Sequence, residues 1–398
     1  MKGILFPIVM FVTLSSSVAN PLSGISFDVP KAWPCGELSR GDLKAVWLEG
    51  EPWKGKPTKV FAYVVLPKGA SAEKKVPGMV LAHGGMGTAY SGWAAKWAAH
   101  GYAAIIPDTC GAIPMKAPGA QWMRSGVGGP EGWGRADLAN EPVGDQWPYH
   151  AVGAVIRAHS YLRSLPEVDA DRIGLTGVSW GGFLTMLTAS VDRRFKFAAP
   201  VYACAYYKDI PLWAKAAQKP SRWLELWEPA NYVPSMTLPV IWFASTGDAA
   251  FSFDELQKTF PLLPNRPEIV IRKDMKHSHG PAGENMPELF AFADLHLRGG
   301  APLPEVGALS VESGRLRVGF DAKGRKLKRA DVIWTADGKP VKASAWQVRS
   351  YPDPTGSVFT APVPEGAHRV FVNFVLDGPT GEKTYPEALV SSNAVVIR

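Results

Sequence analysis

Cysteine is scarce in this chain: Cys35, Cys110 and Cys204 stand among 398 residues. None has the paired spacing of a metal site, which argues against a sequence-local metal centre. Three thiols also make a poor disulfide framework, since one is left over. Cys110 and Cys204 each follow an apolar, strand-like run, so a bridge between them and two buried free thiols are both open. Long apolar runs are missing beyond the N-terminus. None approaches the roughly 18 residues that span a bilayer, so no membrane partner is expected once a leader is removed. Basic blocks are sparse as well. Net charge is +7, from 43 basic and 36 acidic residues, yet only "KGRKLKR" (323–329) concentrates it. That run sits among turn residues and reads as a solvated hairpin, so nucleic acid is not an expected partner. No internal repeat or low-complexity tract is present.

The N-terminus reads "MKGILFPIVMFVTLSSSVAN". Lys2 precedes an almost wholly apolar stretch over 3–14, and Ser17-Val18-Ala19 suits a small-residue cleavage site. Residues 1–19 therefore read as an export signal, which implies a secreted or periplasmic protein.

The remaining length suggests two domains. "KAVWLEGE" and "KVFAYVVLP" alternate apolar and polar residues around a Gly/Pro turn, as an antiparallel hairpin does. "GMVLAHGG", "YAAIIPDT", "RIGLTGVS", "FKFAAPVYA", "PVIWFAST" and "EIVIRKDM" are continuous apolar runs, as buried parallel strands are. "SGWAAKWAAHG", "PYHAVGAVIRAHSYLRSL", "GGFLTMLTAS", "SFDELQKTFPLL" and "MPELFAFADLHLR" have helical spacing and lie between them. Residues 20–300 thus read as an α/β domain, a mostly parallel sheet with helices on both faces. Two excursions, 109–146 and 205–236, break the rhythm with Gly, Pro, Trp and Tyr. After the linker "LRGGAPLPE", residues 306–398 alternate apolar and polar residues between turns, which predicts a small antiparallel β-sandwich of immunoglobulin or fibronectin type.

The chemistry centres on "RIGLTGVSWGGFLTML" (172–187). Ser179 lies between Gly177 and Gly181 where a buried strand meets a helix, the setting of a nucleophile elbow. The Trp180 N–H, first in the helix, is the expected oxyanion donor. A second donor is expected in "HGGMG" (83–87), at Gly85 or Met86, with His83 bracing that loop. Asp248 ends the strand "PVIWFASTGD" and is the expected acid. His277 and His279 follow "EIVIRKDM" as candidate bases, and His277 is preferred because its connection is short. As a metal pair they lack a nearby carboxylate or cysteine cluster, so neither a metal nor an organic cofactor is expected.

With these residues placed, 42–300 resembles the α/β-hydrolase superfamily, in the branch of acetylxylan-esterase-like, dienelactone-hydrolase-like and prolyl-oligopeptidase-like enzymes. "GMVLAHGGMGTA", "WAAHGYAAIIPDTCG" and "DADRIGLTGVSWGG" carry the resemblance. It implies an α/β-hydrolase fold and a Ser–Asp–His triad of Ser179, Asp248 and His277. Two departures stand out. Dienelactone hydrolases generally use a cysteine where Ser179 stands here. Prolyl oligopeptidases carry an N-terminal propeller, for which the stretch before residue 42 is too short.

These readings converge on an exported serine esterase that removes acetyl or similar acyl groups from carbohydrate. Trp122, Trp133, Trp147, Trp180, Trp213, Trp223 and Trp227 suit sugar rings, and equally suit packing of the loops onto the domain. A peptidase for short peptides is the second reading, with Glu131, Asp137, Glu141 and Asp145 offering charge for a substrate amine. An inactive binding protein on a hydrolase scaffold is the third, and the complete set of triad residues counts against it. Oligomeric state and the role of 306–398 stay open.

Overall fold

A computed structural model describes residues 20–114, 122–132, 140–210, 222–251, 253–273, 275–338 and 345–397. The expected export signal, 1–19, lies outside the described residues, as do Trp133, Asp137 and Trp213. No described helix is long and apolar enough to cross a membrane.

Three strands open the chain, β1 (Ala32–Pro34), β2 (Leu43–Glu49) and β3 (Lys59–Val65), paired antiparallel. Next come β4 (Val76–Ala82), α1 (Ser91–Ala99), β5 (Ala103–Pro107) and a small hairpin of β6 (Ala112–Pro114) and β7 (Trp122–Arg124). Helix α2 (Trp147–Ser164) leads to β8 (Val168–Val178), α3 (Trp180–Val191) and β9 (Ala198–Val201). Then follow α4 (Arg222–Trp227), β10 (Ile241–Ser245), α5 (Phe253–Thr259), β11 (Glu268–Arg272), α6 (Pro281–Glu284) and α7 (Pro287–Arg298).

Nine strands form one sheet in the order β1-β2-β3-β5-β4-β8-β9-β10-β11. From β5 to β11 all neighbours are parallel. The apolar runs explain why: β5, β9 and β10 are buried along their whole length, so both faces must be covered. Helix α3 is buried from Trp180 to Ser190, which places the turn before it at the sheet's centre.

The C-terminal strands are β12 (Glu305–Glu312), β13 (Arg315–Asp321), β14 (Leu327–Thr335), β15 (Gln347–Pro352), β16 (Val358–Pro362), β17 (Arg369–Leu376), β18 (Leu389–Ser391) and β19 (Val395–Val396). They make two antiparallel sheets, β12-β13-β16 and β15-β14-β17-β18 with β19 beside β17. Phe320 and Phe359 of the first pack on Phe374 of the second, with ring centres 4.7 and 5.9 Å apart. The run 323–329 is not a hairpin, because β13 and β14 belong to different sheets. Its charges are matched locally: Lys323 pairs with Asp321 and Glu305, and Arg329 with Asp331 and Glu387. Alternation and turn residues mark strands, but not the sheet to which the next strand goes.

This second layer covers β11, the edge of the large sheet. The Ile271 N–H donates to Ser391 Oγ at 2.8 Å, and the Ile271 carbonyl accepts from Asn373 Nδ2 at 3.0 Å. Ser391 Oγ donates to Asn373 Oδ1 at 2.7 Å, closing the ring. An edge that would otherwise offer unpaired backbone groups is thereby sealed by two side chains. Arg272 pairs with Glu288, whose carboxylate also accepts the Leu389 N–H at 2.7 Å.

Two stability predictions follow from these contacts. Asn373→Ala will strand a buried carbonyl and a buried hydroxyl, costing about 1–3 kcal/mol. A lower urea midpoint at unchanged circular dichroism is the expected result. Glu228 follows α4, and burial pushes its carboxyl up to about 7. The folded state then holds a proton that the unfolded chain has released, so stability declines as pH rises from about 4.5 to 7. Glu228→Gln should match the wild-type urea midpoint at pH 5 and exceed it at pH 8.

Candidate active site

The turn after β8 is built for one backbone path. A β-carbon on Gly177 would sit 2.1 Å from the Gly181 carbonyl oxygen. One on Gly181 would sit 1.9 Å from the Ala82 oxygen. Only glycine fits either place. Between them Ser179 takes φ 60° and ψ −119°, a conformation that costs a non-glycine residue about 1–3 kcal/mol. The Ser179 N–H donates to Val201 on β9 at 2.8 Å, and its carbonyl accepts the Phe183 N–H at 3.1 Å. The strained serine is thus held from both sides, at the N-terminus of α3.

Asp248 follows β10. Its Oδ1 accepts the N–H groups of Ala250 and Phe251 at 2.8 and 3.0 Å, which aims Oδ2 outward. His277 Nδ1 lies 2.7 Å from that Oδ2, and His277 Nε2 lies 2.8 Å from Ser179 Oγ. A carboxylate can only accept, so Nδ1 carries the proton and Nε2 accepts from the serine hydroxyl. Tyr202 and Phe251 flank the imidazole, with ring centres 4.8 and 5.6 Å away. The structure therefore brings together Ser179, Asp248 and His277, a nucleophile, a base and an orienting acid in hydrogen-bond order.

His279 is engaged elsewhere. Its Nδ1 donates to Glu284 at 3.1 Å, and its Nε2 accepts the Gly84 N–H at 2.8 Å. Burial pushes its pKa down, so the ring is neutral and able to accept. Burial pushes Glu284 up, but the bonds from His279 and the Gly280 N–H outweigh it and the net shift is down. His83 holds the next peptide of the loop, donating from Nδ1 to the Gly84 carbonyl at 2.8 Å. The Gly84 N–H is therefore occupied, and the next N–H groups of the loop belong to Gly85 and Met86. Met86 has φ 60°. The loop lies against the nucleophile: a β-carbon on Gly84 would be 3.3 Å from Ser179 Cβ.

Other readings resolve differently. Trp147, Trp180, Trp223 and Trp227 are buried and pack the loops inward, so they offer no open face to a sugar. Trp147 Nε1 donates to the Thr109 carbonyl and Trp227 Nε1 to Gln146 Oε1, each at 2.7 Å. Trp122 is half-buried in β7. Glu131 pairs with Arg124 and Glu141 with Lys54, while Asp145 accepts the backbone N–H of Lys54. Cys35, Cys110 and Cys204 are free thiols, the last two buried. His83, Asp108 and Cys110 bring ligand-type atoms within 4.8 Å of one another. Each is already bonded: His83 Nε2 accepts the Thr109 N–H, Cys110 Sγ donates to Asp108 Oδ1, and Asp108 Oδ2 accepts two backbone N–H groups. Burial pushes the Cys110 thiol up, which keeps it a donor.

Sequence reading missed Tyr202, Phe251 and Glu284. Tyr202 directly follows a buried strand beside the elbow strand, and that position was a usable signal; the other two had none.

An acetyl xylan esterase from a Paenibacillus species covers 67% of this chain and 88% of its own, with a TM-score of 0.52 at 20% identity. Acetyl xylan esterase 1 from a Thermoanaerobacterium species covers the same shares, with a TM-score of 0.50 at 17% identity. These likenesses show the α/β-hydrolase fold. In sequence, dipeptidyl-peptidase 5 of Porphyromonas gingivalis is 27% identical over 143 residues, 34% of this chain and 18% of that protein. The chain spans a fifth or less of the length of the curated relatives it matches. The dienelactone hydrolase family profile matches residues 60–266, just over half of the chain, and the chain belongs to that family.

Proposed function

We propose that this protein is an exported serine esterase that removes acetyl or similarly small acyl groups from carbohydrate hydroxyls. One observation carries the acyl-transfer chemistry: the continuous Ser179–His277–Asp248 hydrogen-bond chain at a strained strand-to-helix turn. Ser179 Oγ attacks the ester carbonyl carbon while His277 Nε2 takes its proton. Asp248 keeps the imidazole in the tautomer that accepts and stabilises the imidazolium that forms. The N–H groups of Trp180 and of Gly85 or Met86 receive the oxyanion. His277 then protonates the departing alcohol oxygen and leaves an acyl-serine. Water, deprotonated by the same Nε2, attacks that acyl carbon and frees the carboxylic acid and Ser179.

The acetyl and carbohydrate assignment is supported by the acetyl xylan esterase neighbours, each covered over most of its length. The dipeptidyl-peptidase relatives support a second reading, hydrolysis of short peptides. Against it, Glu131 is paired with Arg124 and Glu141 with Lys54, and Asp145 already accepts the Lys54 backbone N–H. Export rests on residues 1–19.

His279 has a distinct role here. By accepting the Gly84 N–H it turns the following N–H groups toward the oxyanion, as a positioning residue.

The deciding assay sets p-nitrophenyl acetate, butyrate and octanoate and acetylated xylo-oligosaccharides beside aminoacyl-naphthylamides. Turnover should be highest on acetate, and amide turnover alone would instead establish the peptidase. Ser179→Ala and His277→Ala should each lower kcat by about a thousandfold or more. His279→Ala should lower kcat by about tenfold to a hundredfold with KM little changed. His279→Gln, whose amide oxygen can accept the Gly84 N–H, should recover part of that loss. Equal loss in His277→Ala and His279→Ala with no recovery in the glutamine variant would remove the distinction between the two histidines.

A further inference from the structure

Between β17 and β18 the C-terminal domain sends out a loop, 377–388, that reaches the segment carrying both histidines. Its point of contact is Tyr385. The Tyr385 hydroxyl donates to the Ala282 carbonyl at the start of α6, at 2.9 Å. Tyr202 donates to the carbonyl of Lys276, the residue before His277, and lays its ring against the His277 imidazole. One tyrosine pair, one member from each domain, therefore grips both ends of 276–282. That grip matters because 276–280 holds only bends and turns, with no helix or strand to set its backbone.

Both tyrosines are themselves fixed. The Arg272 guanidinium lies 4.2 Å over the Tyr385 ring and is anchored by Glu288 and by the Glu387 carbonyl. Thr380 Oγ1 donates to the Tyr385 carbonyl at 2.6 Å. Glu382 of the same loop accepts from Asn285 Nδ2 at 3.1 Å, just beyond α6. Tyr202 is 1% exposed and takes φ 54°, a conformation that bulky residues keep only where their surroundings impose it.

We infer that Tyr385 is a positioning residue: by holding the Ala282 carbonyl while Tyr202 holds that of Lys276, it lets the C-terminal domain fix the segment that keeps the His277 imidazole in line between Ser179 and Asp248. The inference rests on the acyl-transfer reading of that site. Small displacements of a catalytic group are costly, since about 1 Å can lower a rate by up to a hundredfold.

The test uses the full chain, with Tyr385→Phe, Tyr202→Phe, the double variant, and Asn373→Ala as an interdomain control outside the loop. Readouts are kcat and KM on p-nitrophenyl acetate, the pH dependence of kcat/KM, and the rate at which a fluorophosphonate labels Ser179. Tyr385→Phe should lower kcat and labelling by about tenfold, leave KM within about twofold, and move the acid limb of the pH profile. The double variant should be slower than either single one, because the two hydroxyls hold opposite ends of 276–282. Asn373→Ala should lower the urea midpoint without slowing turnover. Wild-type kcat and labelling in Tyr385→Phe would overturn the inference, as would an equal slowing in Asn373→Ala, which would indicate general loosening. Should Tyr385→Phe fail to fold, Tyr202→Phe frees the other end of 276–282, and an unimpaired rate there shows that the segment needs no such grip and overturns it equally. If the wild-type chain neither turns over an ester nor takes the label, the acyl-transfer reading fails first and the inference with it.

Discussion

Everything at the site depends on how closely two backbones pass at Gly181. Its α-carbon rests against the Ala82 carbonyl, where no side chain of any size fits. That contact lets α3 begin directly beneath the end of β4. Two residues after Ala82, the chain arrives as Gly84 beside Ser179. The close approach therefore sets the distance between the nucleophile and the loop that faces it. A methyl group there would drive α3 from the sheet, and the serine would lose both its strain and its neighbours.

Electrostatic roles are then divided between two histidines two residues apart. His277 is partly exposed, sandwiched between Tyr202 and Phe251, and its two nitrogens meet a hydroxyl and a carboxylate. In the proposed reaction its Nε2 takes and returns the serine proton while Asp248 holds Nδ1. His279 lies deeper, against Tyr90 and Trp93, and its nitrogens meet a carboxylate and a backbone N–H. A proton on its Nε2 would face another donor. One ring is arranged to change state during the reaction, the other to stay neutral throughout.

Much of this was legible in the sequence because it is local. Ser179, Asp248 and His277 each end or follow an apolar run, and strand ends are where a parallel sheet presents its chemistry. The choice between His277 and His279 was not local. It is made by Gly84 and Glu284 on one side and by Ser179 and Asp248 on the other, and all but Glu284 are remote in the chain. The tryptophans stayed between two readings for the same reason, since composition records an aromatic ring but not the side of the loop it faces. The 323–329 run reads as a hairpin because turn residues bend the chain, while the switch between sheets is decided by which neighbours have unpaired edges. Tyr385 left no mark at all, because its meaning lies in a carbonyl 103 residues earlier.

That last separation bears on how the molecule comes into being. Synthesis delivers the nucleophile, the acid and the base well before the strands that seal β11. Ile271 must wait 120 residues for Ser391, and Ala282 must wait 103 for Tyr385. Contacts so distant in the chain form late, after loop closure has been achieved. A nascent chain thus carries all its reactive groups in an unfinished scaffold, with the outermost parallel strand still open to misassembly. The same C-terminal strands and loop that cover the outermost parallel strand also reach the segment carrying His277, so protection of the edge and support of that segment depend on one late-synthesised stretch of chain.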